Sequence, residues 1–283
     1  MDGFAAAVAA ERAGRLVDAR AGYLAVLERK PGHAAAAHRL GLVAFRLGRA
    51  GEAVQWLQKS LAIREDAEVL IDFGEVLRAL GQFEAAAAVH AAALKRSPDA
   101  PDAWFGRAVA LHTLGRLAEA EAAYRGLLAR RPDVAEAHDN LGVCLLRLGR
   151  AAEAVAAHRE ALRRNPDAAG AWNNLASALQ ATGQPAAAAD ACREAAMLRP
   201  DWVAPRHNLA CLTLDAGDAA EAAATARRAA TLAPDDTGPW GVLGRALRDA
   251  GRPEDAVTAL AHALALDPTD AGTALDLAEL LRR

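Results

Sequence analysis

Residues 169–200 read AGAWNNLASALQATGQPAAAADACREAAMLRP. Leu175 and Leu179 precede Gly183, Ala188, Ala191 and Ala195 follow it, and Pro200 closes the second run. Spacings of three and four residues put the apolar side chains of each run on one face of an α-helix. The stretch therefore predicts a helical hairpin. Gly183 should end the first helix, because a left-handed C-terminal position is least costly for a residue with no Cβ. Pro200 should end the second, since it lacks an N–H and clashes with the preceding turn.

Working outward, the same punctuation recurs along the chain. Glycine stands at 14, 48, 81, 115, 149, 183, 217 and 251, at intervals of 34 residues with a single 33. Five residues after each glycine is an alanine: Ala19, Ala53, Ala86, Ala120, Ala154, Ala188, Ala222 and Ala256. A methyl there lets the two helices of one unit cross closely. Seventeen residues after it comes proline, at 31, 98, 132, 166, 200, 234 and 268, with Glu65 the exception in the unit that is one residue short. One hairpin cannot bury both of its apolar faces, so eight of them must stack into a single solenoid domain over 1–283. The expected hairpins are 1–33, 34–66, 67–100, 101–134, 135–168, 169–202, 203–236 and 237–270. A capping helix over 271–283 follows, made polar on its outer face by Asp276, Glu279, Arg282 and Arg283. No catalytic domain is expected beyond it.

Composition agrees with an all-α fold and excludes several function classes. Of the 283 residues 53% are hydrophobic and only 4% aromatic, and alanine, the best helix former, dominates. The formal charge is -3, divided as about +2 up to Asp133 and about -5 beyond it. Neither half carries the field of a nucleic-acid or anionic-membrane binder, so the partner is expected to be a protein or peptide. No apolar run reaches the ~18 residues of a membrane span. Phe4–Ala10 has no basic leader and reads as helix. Cys144, Cys192 and Cys211 are odd in number and form no C-x-x-C pair, which suits a reducing cytoplasm. The excess of Ala and Arg suggests a GC-rich bacterial gene.

The repeat resembles the tetratricopeptide repeat, whose signature is Trp, Leu-Gly, an aromatic, Ala and Pro. Trp172, Leu175, Ala176, Leu179, Gly183, Ala188 and Pro200 carry it most fully. Trp104 and Trp240 share the place of Trp172. Leu40-Gly41, Leu141-Gly142 and Leu243-Gly244 give the Leu-Gly pair, and Tyr23 and Tyr124 the later aromatic. The resemblance implies a right-handed α-solenoid whose first helices line a concave groove, working as a protein-interaction module or scaffold. The first unit departs from the pattern, with Gly3 at the Trp place and Ala6-Ala7 at the Leu-Gly place. It is expected to pack weakly and fray.

On the groove side, nine residues before the repeat glycine, stand Asn140, Asn174 and Asn208, with Asp72 and Asp276 at the same place and Asp139 and Asn173 one residue earlier. A carboxamide offers two donors and an acceptor, so such a ladder suits the main chain of an extended peptide. It resembles the peptide-lining asparagine array of the repeat domain of O-GlcNAc transferase. Three net hydrogen bonds supply about 2–4 kcal/mol, whereas micromolar binding needs about 8, so side-chain contacts must add the rest. Phe105, Val109 and Val143 are the apolar candidates, and Arg147 and His207 the polar ones. The competing reading is that these asparagines satisfy a neighbouring hairpin. A carboxylate clamp is disfavoured, because no first helix carries a groove-facing Lys.

Catalysis is not expected. The eight histidines show no metal-ligand spacing, and no cofactor motif is present. His90, His158 and Cys192 share the place of Tyr23 and Tyr124 and should be core. Cys211 is read as groove-facing. Two alternatives remain: a substrate-recruiting subunit or detached domain of a larger bacterial enzyme of glycosyltransferase or sulfotransferase type, or a self-assembling scaffold forming homo-oligomers.

Overall fold

The computed structural model describes residues 3–282 and is built of seventeen helices, with no strand among the described residues. The chain divides into two compact units, Met1–Ala137 and His138–Arg283. Hairpins touch only their neighbours in a repeat array, so such a chain has no single centre that ties distant repeats together. Each unit is described by itself.

In the first unit the hairpins are α1 (Gly3–Arg12) with α2 (Leu16–Arg29), α3 (Ala34–Arg46) with α4 (Ala50–Ile63), α5 (Ala67–Ala79) with α6 (Phe83–Arg96), and α7 (Pro101–Thr113) with α8 (Leu117–Arg130). The division falls inside α9 (Ala135–Arg147). In the second unit follow α10 (Ala151–Arg164), then α11 (Ala169–Ala181) with α12 (Pro185–Leu198), α13 (Val203–Asp215) with α14 (Ala219–Leu232), α15 (Thr237–Asp249) with α16 (Pro253–Leu266), and α17 (Ala271–Leu281) alone.

Every repeat glycine has φ between +72° and +83°, and no other described residue has positive φ. In each turn the glycine N–H bonds three residues back and the next N–H five residues back. Gly183 to Gln180 at 3.0 Å and Gln184 to Leu179 at 2.9 Å are one such pair. This is the Schellman closure of a helix C-terminus. A Cβ added at Gly183 would meet nothing within 4 Å, so the backbone angle, not crowding, demands glycine there. The alanines five residues on are all fully buried.

Glycine within the first helices has a different cause. A Cβ on Gly142 would fall 2.5 Å from the ring of His158, and one on Gly244 would fall 2.4 Å from Leu260. The Leu-Gly place is thus where a buried side chain of the second helix presses against the first. His90, His158 and Cys192, on the second helices at the place of Tyr23 and Tyr124, are buried, as expected. The tryptophans add a contact that spacing alone does not announce. Trp104, Trp172 and Trp240 donate their indole N–H to the carbonyls of Pro98, Pro166 and Pro234, at 2.8, 2.8 and 3.0 Å. The repeat's Trp therefore holds the turn that precedes its own hairpin.

Two expectations are corrected at the ends. The first hairpin is well packed: Tyr23 is fully buried, Phe4 and Val8 cover the cluster around it, and Glu11 accepts from Tyr23 and Arg39. The outer face of α17 is less polar than expected. Asp276 turns back to bond Arg248 at 2.8 Å, while Leu275 and Leu281 are 61% and 68% exposed. Glu279 and Arg282 are exposed, and Arg283 lies outside the described residues. No helix among the described residues is long and apolar enough to cross a membrane.

Candidate peptide-binding face

The helical spacing places Asp139, Asn140, Asn173, Asn174, His207 and Asn208 on α9, α11 and α13, all half-buried. Their contacts follow one rule. The residue ten before a repeat glycine meets the residue nine before the next one. Asn174 donates Nδ2–H to the carboxylate of Asp139 at 3.1 and 3.3 Å, and Asn208 donates to Asn173 Oδ1 at 3.1 Å. In the first unit His38 Nε2 lies 2.7 Å from Asp72 by the same rule. Two of the three ladder asparagines therefore link adjacent first helices through Nδ2. Each still keeps its side-chain carbonyl.

Asn140 is the exception within the second unit. Its carboxamide has no hydrogen-bond partner among the described residues. The rule also lapses after His207, whose counterpart in the next repeat is the buried Val242. His207 Nδ1 is buried without a partner. Burial holds its imidazole below the ordinary range.

Asp139 also accepts from His158 Nδ1 at 2.7 Å. An ionised carboxylate can only accept, so the ring donates through this nitrogen. A His-carboxylate pair suggests a general base, but His158 Nε2 is sealed in the core without a partner. No substrate can reach it. In the first unit His90 is likewise buried, with Nε2 3.4 Å from Glu75 Oε1. His90 and Arg78 hold the Glu75 carboxyl down at about 2, against an opposing desolvation.

The remaining site residues are placed as follows. Phe105 and Val109 are half-buried on α7, and the Phe105 ring stands edge-on to Tyr124 at 6.3 Å. Val143 is half-buried on α9 and belongs to the second unit with Arg147, which is exposed and has no acidic partner among the described residues. His207, Cys211 and Arg245 meet at a cavity of about 280 Å³ between α13, α15 and α17. Thr237, Asp270 and Thr273 are among its other lining residues, and periodicity does not point to them because they sit at helix starts rather than along a periodic face. Cys211 Sγ lies 3.8 Å from His207 Nε2. Burial pushes the Cys211 thiol up, and Cys192 to about 12, so neither is an activated nucleophile. Among the described residues no group of three His, Cys, Asp or Glu is placed to hold a metal ion.

Tetratricopeptide repeat models match residues 4–68, 71–134, 115–160 and 145–205, and a second such model matches 213–271. No curated protein matches the sequence. Among solved structures, PilF of Pseudomonas aeruginosa is 20% identical, with a TM-score of 0.62 over 76% of this chain and 96% of that one. A tetratricopeptide repeat protein from Parabacteroides merdae is 17% identical, with a TM-score of 0.61 over 92% and 99% of the two chains. YrrB, described as a TPR protein with an unusual peptide-binding site, is 19% identical, with a TM-score of 0.60 over 67% and 97%. At such identities the likeness concerns the fold alone. With repeat models covering nearly all of the described residues and every turn glycine left-handed, the chain belongs to the tetratricopeptide repeat family, and its stacked hairpins form a protein-interaction scaffold.

Proposed function

We propose that the first-helix face of the second unit binds an extended peptide segment of a partner protein. Asn140, Asn174 and Asn208 contact its main chain, while Asp139 and Asn173 fix the orientation of two of those carboxamides. Val143, Arg147 and His207 contact its side chains, and Phe105 and Val109 play the same part on the first unit. One observation supports this reading above the rest. Asn174 is held through Nδ2 by both carboxylate oxygens of Asp139, and Asn208 through Nδ2 by Asn173 Oδ1, so the side-chain carbonyl of each is pre-oriented. Arg147, exposed and unpaired, gives the face a preference for an acidic residue.

The test uses peptides selected against the whole chain from a random display library, measured by titration calorimetry. Asn140→Ala removes a carboxamide that holds nothing else, so it should weaken binding while leaving the unfolding midpoint unchanged. Affinity unaffected by Asn140→Ala and by the triple change at 140, 174 and 208 would dismiss the ladder as a binding element.

A further inference from the structure

The first hairpin lacks what three later hairpins have. Trp104, Trp172 and Trp240 stand eleven residues before their turn glycines, and Gly3 holds that place before Gly14. The Trp104 ring lies against Gly126, where an added Cβ would fall 2.7 Å from a ring carbon. Arg130 lies over the same ring, 5.1 Å from its centroid. Trp240 sits 4.3 Å from the ring of His262, which occupies the place of Gly126.

In the first hairpin the corresponding cradle is present and vacant of an indole. Gly3, Gly22, Ala25 and Val26 line a cavity of about 540 Å³, with Arg29 and Lys30 at its edge. Ala25 takes the place of Gly126, and Arg29 that of Arg130. Arg29 and Lys30 are both exposed, and neither has a carboxylate partner among the described residues. Two unpaired cations beside an apolar slot complement an aromatic ring flanked by acidic groups.

We propose that this cavity takes the indole of a tryptophan carried on an acidic segment of a partner protein. Arg29 stacks over the ring as Arg130 stacks over Trp104, and Lys30 faces the segment's carboxylates. The contact is separate from the face of the second unit, and it adds a second point of attachment to the same scaffold. Two such points on one chain raise avidity when a partner carries both segments.

The probe is a short peptide with one Trp between acidic pairs, titrated into the whole protein by calorimetry. Replacing its Trp by Ala should weaken binding about tenfold or more, as for a buried aromatic anchor. Replacing its acids by Lys should weaken it as well. On the protein, Gly3→Trp should fill the slot from within and abolish binding. A Cβ at Gly3 meets only Val26 Cγ2 at an ordinary 3.6 Å, so the fold should survive. Ala25→Leu, which blocks the cradle floor from an exposed position, gives the same result by a second route. Equal binding of the Trp and Ala peptides would overturn the proposal, as would binding unmoved by both variants. Self-association abolished by Gly3→Trp, with no peptide binding, would make a second copy of the chain the occupant and overturn it too.

Discussion

Gly183→Ala isolates what the repeat glycine contributes. Its φ is +73°, and an added Cβ would find open space within 4 Å. Sterics between residues therefore cost nothing, and the whole penalty is the left-handed backbone, about 1–2 kcal/mol for an L-residue. Alanine also narrows the unfolded ensemble, which returns ~0.4–1 kcal/mol where the native angles are accessible and less where they are strained. The net loss should be about 1 kcal/mol. Asparagine tolerates the left-handed region, so Gly183→Asn should cost clearly less than Gly183→Ala despite its greater bulk. Urea unfolding followed by far-ultraviolet circular dichroism measures both, with the change read from the midpoint at constant slope. If asparagine proves as harmful as alanine or worse, crowding rather than backbone angle governs the turn, and the backbone-angle account is wrong.

Three further outcomes follow from particular contacts. Trp172→Phe keeps a ring but removes the 2.8 Å bond to the Pro166 carbonyl, and should lower stability by ~0.5–1.5 kcal/mol in the same urea assay. Glu75 ionises at about 2 in the folded chain and near 4.5 in the unfolded one, so the unfolded state binds the extra proton between these values. Its contribution is therefore complete above about pH 4.5 and lost as pH falls toward 2, and Glu75→Gln should flatten that part of a stability-pH curve. Cys211, its thiol raised by burial, should react with iodoacetamide at pH 8 more slowly than a free cysteine, as mass spectrometry would record.

The hairpins were legible because each depends on one residue with one physical job. Gly183 supplies an angle, Ala188 a small radius and Pro200 a missing donor, and the period of 34 places every copy. The roles of His90, His158 and Cys192 as core were legible for the same reason, since they share a place with Tyr23 and Tyr124. The bond from Trp172 to Pro166 was not, because both residues already had another explanation and nothing in their spacing says that an indole reaches a carbonyl. The outer face of α17 is less polar than its spacing suggests, because Arg248 on the preceding first helix draws Asp276 inward. Contacts between repeats depend on the rotation from one hairpin to the next, which a reading of single hairpins does not contain.

The asparagine ladder did carry a readable signal. Asp139 precedes Asn140 and Asn173 precedes Asn174, and a polar residue ten before one glycine with an amide nine before the next is the pattern that His38 and Asp72 also show. Read this way, Asn174 and Asn140 differ although they occupy the same place. Asn174→Ala strips a donor from a carboxylate that is only 21% exposed, and should destabilise the chain by ~1–3 kcal/mol, the cost of leaving such a group under-satisfied. Asn140→Ala should cost nothing measurable, because that carboxamide has no hydrogen-bond partner among the described residues. Comparing the two variants in urea therefore separates hairpin linkage from ligand contact before any partner is identified. Equal destabilisation at 140 and 174 would mean that position within the repeat, not the bond from Asn174 to Asp139, decides what these side chains do.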